Sequence, residues 1–323
     1  YIVDKYGDKR KTSIEQIEIP KEEKEIAAVV PENCVVIINQ TGSIKRVPAA
    51  AFKIQKRNGK GIKTEDDTIL DMISTNTIDT LMLFSNKGKM YRLLVDNVPV
   101  GTNISKGTPV NTLITLETDE KIIAITSLYR KSKAKYVIFI TKQGLFKKTA
   151  LEEYMGGKKT TGIAAIKLKE GDSIANVTFA EDEDFIVITK NGMSIHFESK
   201  DIAAIGRTTS GVRAIKLDTN DEVLVGLPIK HFTDSVAIFN ESGVAKKTVL
   251  DEFPLQARGG KGVCVLKSGK VTGAAMVSDE DFILIIGQPN SICVSAKEIP
   301  QLSRVAVGNI MINGSKIKRI VKV

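Results

Sequence analysis

The sequence predicts an all-β toroid of six four-stranded, propeller-like blades, and three observations lead there. Pairs of glycines (or glycine equivalents) recur six times at a nearly constant internal offset. Each pair sits among short runs rich in Ile, Val and Thr, residue types that favour strands. No stretch carries sustained helical periodicity.

Residues 1–24 are highly charged, with Lys9-Arg10-Lys11 and Lys21-Glu22-Glu23-Lys24, and read as an incoming linker. The ring is expected over residues 25–323, starting with a lone strand at 25–30. The first signature of each unit is an apolar run, a turn and a second strand. The runs are Val35-Val36-Ile37-Ile38 with Gly42, Leu81-Met82-Leu83-Phe84 with Gly88, and Val137-Ile138-Phe139-Ile140 with Gly144. Phe185-Ile186-Val187-Ile188 with Gly192 and Val236-Ala237-Ile238-Phe239 with Gly243 follow. In the sixth, Phe282-Ile283-Leu284-Ile285, Pro289-Asn290 replaces the glycine turn. Glycine supplies the positive φ that a tight hairpin needs.

A second glycine then precedes another short strand: Gly61, Gly107, Gly162, Gly211, Gly262 and Gly308, at offsets of 19, 19, 18, 19, 19 and 19 residues from the hairpin turn. Successive second glycines lie 46, 55, 49, 51 and 46 residues apart, the mark of a repeat array. A closing strand ends each unit, as in Glu120-Lys121-Ile122-Ile123 or Asp221-Glu222-Val223-Leu224. Four strands per unit is the content of a propeller blade. Short helical turns are expected near residues 150–154 and 249–253. The widest spacing is explained by Tyr129-Arg130-Lys131-Ser132-Lys133-Ala134-Lys135, an exposed basic loop between units two and three.

Hydrophobic residues make up 42% of the chain, enough for a large core, but aromatics are 5% and Trp is absent, so that core is aliphatic. The net charge of +9 points to a polyanionic partner, nucleic acid ahead of an anionic membrane surface. Cys34, Cys264 and Cys293 are far apart and flanked by aliphatics, so they read as reduced thiols. With no CxxC pair and His196 and His231 well separated, no metal site is expected. No signal peptide or apolar run of spanning length stands out, so the chain is expected to be soluble and cytoplasmic. A start at Tyr1 suggests a fragment of something longer.

The positive charge is held in register. Three and four residues after the hairpin turn stand Lys45-Arg46, Tyr91-Arg92, Lys147-Lys148, Ile195-His196, Lys246-Lys247 and Ile292-Cys293. Four residues before the second glycine stand Arg57, Asn103, Lys158, Arg207, Arg258 and Arg304, with Lys159 beside Lys158. Lys60, Lys106 and Lys261 occupy the position immediately before it. In a ring, equivalent positions fall on one rim, so these cations are expected to line it and bind phosphates without reading sequence. Glycines beside them let the backbone approach a phosphate closely. The acidic run Glu181-Asp182-Glu183-Asp184 reads as a solvated turn.

The densest member of the set is Gln55-Lys56-Arg57-Asn58-Gly59-Lys60-Gly61, with a near copy at Gln256-Ala257-Arg258-Gly259-Gly260-Lys261-Gly262. The first closely resembles the Gln-Arg-Arg-Gly-Gly-Lys-Gly box of the bacterial DNA gyrase A protein. The repeat resembles that protein's C-terminal domain across nearly the whole chain. Tyr6-Gly7-Asp8-Lys9-Arg10-Lys11-Thr12 looks like the family's segment leaving the breakage-reunion region, and Ile205-Gly206-Arg207-Thr208-Thr209-Ser210-Gly211-Val212-Arg213 looks like its blade motif.

The resemblance implies a six-bladed β-pinwheel that wraps double-stranded DNA around its outer edge, giving the chirality that strand passage turns into negative supercoils. It implies the gyrase B protein and the rest of gyrase A as partners, a monomeric isolated domain, and a place at the bacterial nucleoid. The cleavage tyrosine, ATP and Mg then act elsewhere in the holoenzyme, and this chain holds no cofactor or catalytic residue. Lys56 in place of Arg keeps the charge and loses the bidentate fork. Asn58 in place of Gly is the side chain that best tolerates positive φ. Three rivals stay open: the related domain of the topoisomerase IV A protein, a propeller binding acidic proteins, and a propeller glycosidase, which would need convergent carboxylates that do not recur in register.

Overall fold

The computed structural model describes Lys5 and residues 29–59, 62–63, 69–156, 161–267 and 269–323. Apart from Lys5, the expected linker lies outside these, as do the entry segment at 6–12 and residues 25–28 of the lone strand, and Val29 and Val30 belong to no strand.

Each apolar run forms the middle of a four-stranded antiparallel sheet, and the described residues form six such sheets. The first unit supplies β1 (Asn33–Asn39), β2 (Ser43–Pro48), β3 (Ile62–Lys63) and β4 (Ile69–Asn76). The second supplies β5 (Thr80–Ser85), β6 (Lys89–Leu94), β7 (Thr108–Pro109) and β8 (Ile122–Leu128); the third β9 (Tyr136–Thr141), β10 (Leu145–Ala150), β11 (Ile163–Ala164) and β12 (Ile174–Ala180). The fourth supplies β13 (Phe185–Thr189), β14 (Met193–Phe197), β15 (Val212–Arg213) and β16 (Val223–Pro228). β17 (Ser235–Asn240), β18 (Val244–Val249), β19 (Val263–Cys264) and β20 (Val271–Val277) come from the fifth, and β21 (Phe282–Gln288), β22 (Asn290–Ser295), β23 (Asn309–Ile310) and β24 (Lys316–Lys322) from the sixth. The expected helical turns are Glu152–Met155 and the 3-10 turn Leu250–Glu252.

In one respect the blades differ from the expectation of four strands from each unit. The sheet orders are β4-β1-β2-β7, β11-β6-β5-β8, β12-β9-β10-β15, β16-β13-β14-β19, β20-β17-β18-β23 and β24-β21-β22-β3. Three strands of every blade come from one unit, and the short outermost strand comes from the next. The sixth blade takes β3 from the first unit, so the chain closes the ring on itself. Among the described residues, the second glycines of units two to six sit at the crossover. A Cβ on Gly211 would lie 2.6 Å from the Phe146 carbonyl oxygen, and its φ is +93°.

The core is six apolar layers, one between each pair of neighbouring blades. The strand β13 shows why the runs are continuous: Phe185 and Val187 face the layer shared with the third blade, Ile186 and Ile188 the layer shared with the fifth. Both faces of a blade are buried, so no polar alternation is required. Each fully buried Ile, Val or Phe contributes about 1.5–3 kcal/mol. Phe84 meets Phe139 edge-on at 5.2 Å between blades two and three, and Phe146 meets Phe185 at 5.0 Å between blades three and four. At the seam between blades six and one, Val35, Val47, Leu284 and Cys293 do the same work. The strands β4, β8, β12, β16, β20 and β24 contact one another in turn and form the inner wall. Among the described residues no helix is long and apolar enough to cross a membrane.

Candidate nucleic-acid interface

The outermost layer of each blade is the loop that precedes the second glycine of the following unit. In blade one it runs beside β2 with a parallel bridge from Arg46 to Val100, then turns and returns antiparallel, pairing Ile44 with Thr108. In blade four the equivalent contacts are His196 to Leu255 and Ser194 to Val263; in blade six they are Cys293 to Ile54 and Ser291 to Ile62. Equivalent loops therefore stand on the outer edge, facing solvent.

The described part of the 55–61 segment, residues 55–59, covers blade six. The Gln55 N–H donates to the Cys293 carbonyl at 2.8 Å and the Asn58 N–H to the Met311 carbonyl at 2.7 Å. Asn58 has φ +63°, the left-handed conformation that its side chain tolerates. The near copy on blade four repeats this geometry. There the Gln256 N–H donates to the His196 carbonyl at 2.8 Å and the Gly259 N–H to the Ala214 carbonyl at 2.6 Å. Gly259 has φ +82°. Both loops rest on an isoleucine: Ile292 lies under Gly59, and Ile195 under Gly260.

Lys56, Arg57 and Asn58 are exposed, as are Lys106, Arg258 and Lys261. Arg258 donates to the Arg213 carbonyl at 3.2 Å, and Lys261 pairs with Asp218 at 2.9 Å. Arg207 is half-buried, its Nε 4.0 Å from Glu153. Arg304 turns inward and donates to the Cys264 carbonyl. Lys60, Gly61, Lys158 and Lys159 lie outside the described residues.

The doublets after the hairpin turn require a correction. Arg92, Lys147, Lys148, Lys246 and Lys247 are buried, and Lys45 and Arg46 half-buried, so this position is not on the accessible rim. The side chains of Lys45, Arg46, Arg92 and Lys246 hold the neighbouring unit's loop from beneath. Lys45 Nζ donates to the carbonyls of Thr102, Asn103 and Ser105 at 3.0, 3.2 and 2.5 Å. Lys246 Nζ donates to the equivalent carbonyls of Ser303, Arg304 and Ala306. Arg92 donates to the Met155 and Gly156 carbonyls, both at 2.9 Å. Arg46 donates to Val98 O at 2.8 Å and pairs with Asp96 at 2.9 Å.

Lys147 reaches Tyr154 Oη at 3.2 Å and the Ala165 carbonyl at 3.1 Å. Lys148 pairs with Asp182 at 2.8 Å, and Lys247 with Asp279. Asp182 thus anchors a lysine from within the run read as a solvated turn. Burial pushes Lys147 and Lys246 down to about 8.

Three glutamates were missed from sequence. Glu298 Oε2 accepts from the Arg57 N–H at 2.5 Å, Glu252 Oε2 from the Arg304 N–H at 2.6 Å, and Glu153 Oε2 from the Arg207 N–H at 3.2 Å. Each carboxylate comes from the preceding unit and fixes the residue that carries the rim cation. The signal was present: an acid nine or ten residues before the second glycine in units three, five and six.

Among the described residues no group of His, Cys, Asp and Glu could hold a metal ion. The cysteines are free; Cys34 and Cys293 are buried, Cys264 half-buried.

A closed six-bladed propeller whose outer edge is built from strand-exchanged, cation-bearing loops defines the class. The family described as DNA gyrase C-terminal domain, beta-propeller, matches residues 35–76, 79–128, 135–180, 183–229 and 234–284, one segment for each of the first four units and one running from the fifth into the sixth. The chain belongs to that family.

It is 34% identical over 297 residues to the DNA gyrase A protein of Lawsonia intracellularis, covering 88% of this chain and 36% of that protein. It is 33% identical over 324 residues to the DNA gyrase A protein of Helicobacter pylori strain J99, covering 97% of this chain and 39% of that protein. The chain thus spans little more than a third of the relatives it matches. A solved DNA gyrase A C-terminal domain superposes with a TM-score of 0.78 at 25% identity, over 90% of this chain and 99% of that one. A topoisomerase IV C-terminal domain gives 0.67 at 25% identity, over 91% and 94%, and does not improve on the gyrase match.

Proposed function

We propose that this chain binds double-stranded DNA without reading its sequence and wraps it along the outer loops of the ring, as part of a gyrase A protein. One observation carries this reading: the loops on blades four and six share one backbone hydrogen-bonding pattern, and the exposed cations Lys56, Arg57, Lys106, Arg258 and Lys261 stand on outer loops at repeated register positions. Distributed cations of this kind suit a polyanion bent along a convex edge, because several phosphate contacts together offset the cost of bending. Wrapping of fixed hand gives the passing segment the chirality from which negative supercoils follow. Cleavage, ATP and Mg belong to the remainder of gyrase A and to the gyrase B protein, with the assembly working in the bacterial cytoplasm at the nucleoid.

The test is topological. The chain is bound to relaxed closed-circular DNA, a nicking-closing topoisomerase is added, and the change in linking number is read against protein ratio. A graded change is expected. No change at any ratio overturns the wrapping reading, and an alanine-substituted 55–61 loop that wraps as well as the parent removes the box from it.

A further inference from the structure

The rim carries an exposed apolar side chain at one repeated position. Seven residues before the second glycine stand Ile54, Val100, Met155, Ala204, Leu255 and Gln301. Ile54 is 58% exposed, Val100 62%, Met155 45% and Leu255 54%. The backbone at this position is pinned to the neighbouring blade, as in the bridges Ile54 to Cys293 and Leu255 to His196. Gln301 makes the same bridge to Lys247 with a polar side chain, so blade packing places no apolar demand there. Single exposed hydrophobics are ordinary on any surface, but they scatter. Here large aliphatic or thioether side chains return to one place in four of six units, on the outermost loop for Ile54, Val100 and Leu255 and at the end of the helical turn Glu152–Met155 for Met155, always three residues before the rim-cation position.

We propose that Ile54, Val100, Met155 and Leu255 make apolar contact with the minor-groove walls of the wrapped duplex; this rests on the wrapping reading above. A bent duplex turns its minor groove toward the protein once per helical turn, and the walls there are deoxyribose C–H groups. Proteins that bend DNA press Leu, Ile or Met side chains into this groove. Cations at the neighbouring position, such as Arg57 and Arg258, suit the flanking phosphates. The two kinds of contact respond differently to salt. Phosphate contacts release counterions and weaken steeply as salt rises, whereas apolar contacts release none. The four side chains therefore supply a salt-insensitive part of the affinity and hold the duplex where it bends.

The experiment replaces all four by glutamine, the residue that unit six already carries, in the 323-residue chain. Affinity for linear duplex DNA is measured from low to moderate salt, and linking-number change on closed-circular DNA is measured alongside. The expected result is at least a tenfold loss of affinity at every salt concentration with the salt slope unchanged, and a smaller linking-number change per bound chain. Phe232→Gln, a control on the loop between β16 and β17, is expected to match the parent. If the fourfold variant melts early, Ile54→Gln with Leu255→Gln replaces it and a threefold loss is the threshold. Affinity within that margin and an unchanged salt slope overturn the proposal while leaving wrapping intact. A parent that binds without changing linking number overturns wrapping instead, and the affinity arm still decides whether the apolar contacts exist.

Discussion

The main-chain N–H of Asn58 donates to the carbonyl oxygen of Met311 at 2.7 Å, so a residue of the first unit is tied to the last across the seam of the ring. The bond depends on φ +63° at Asn58, and Gly259 holds the matching conformation on blade four. A β-branched side chain opposes this conformation by about 1–2 kcal/mol. Asn58→Val is expected to lower the unfolding free energy by that much, read as a lower urea midpoint, and to weaken wrapping, while Asn58→Gly leaves both near the parent value. Equal midpoints for the two variants would show that the loop does not need its left-handed residue.

Gly262, the second glycine of the fifth unit, is predicted to matter more than Gly42, the hairpin glycine of the first. Both residues adopt positive φ, but a Cβ on Gly262 would fall 2.0 Å from the Ser194 carbonyl oxygen, whereas one on Gly42 meets nothing within 4 Å. Gly42→Ala carries only the conformational penalty, about 1 kcal/mol. Gly262→Ala must also push the outer strand off blade four. Thermal melts of the two variants are expected to differ by several degrees, Gly262→Ala melting first.

Lys246 sets a pH dependence whose sign is fixed by its burial. Its folded-state value is pushed down to about 8, below the ordinary lysine value of 10.5. Below pH 8 the lysine is charged in both states, and the buried charge weighs on the fold. Between pH 8 and 10.5 the unfolded chain binds more protons than the folded one, so stability rises with pH. Lys246→Met removes this dependence. Chemical denaturation at pH 7.5, 9 and 10.5 is therefore expected to show the parent gaining on the variant as pH rises; a constant difference would mean that the amine keeps its ordinary value in the fold.

The blade strands were legible because every blade is buried on both faces, leaving uninterrupted apolar runs such as Phe185-Ile186-Val187-Ile188. The glycine register was legible because positive φ and close backbone approach leave few alternatives to glycine. Strand exchange was not. A repeat period locates a unit but does not say which neighbour it bonds, and a two-residue strand such as β3 carries almost no pattern of its own. The buried doublets misled for a chemical reason: a lysine presents the same three donors to a phosphate as to three carbonyls. The position itself held the clue, since Lys45, Lys147 and Lys246 alternate there with Tyr91, Ile195 and Ile292, and a site that accepts isoleucine twice is interior.

Salt dependence should therefore separate the two classes of cation. Arg258→Gln removes an exposed rim charge and is expected to reduce the slope of log affinity against log salt by about 1. Lys247→Met removes a buried cation bound to Asp279 and the Ala296 carbonyl. It should lower stability and leave the slope unchanged. Matching slopes in the two variants would put both residues in the same class.

Glu298 gives the sharpest contrast, because electrostatics and geometry predict opposite outcomes. Removing an acid beside a basic rim strengthens attraction for DNA when charge alone matters. Yet the Glu298 carboxylate accepts from the Arg57 N–H at 2.5 Å and fixes residues 55–59 against blade six. A charge-assisted bond of this kind contributes about 1.5–3 kcal/mol. Glu298→Ala is expected to bind short linear duplexes as well as the parent or better, and to produce a smaller linking-number change on closed-circular DNA. Undiminished wrapping would show that the box needs its charge and not its hold on the last blade.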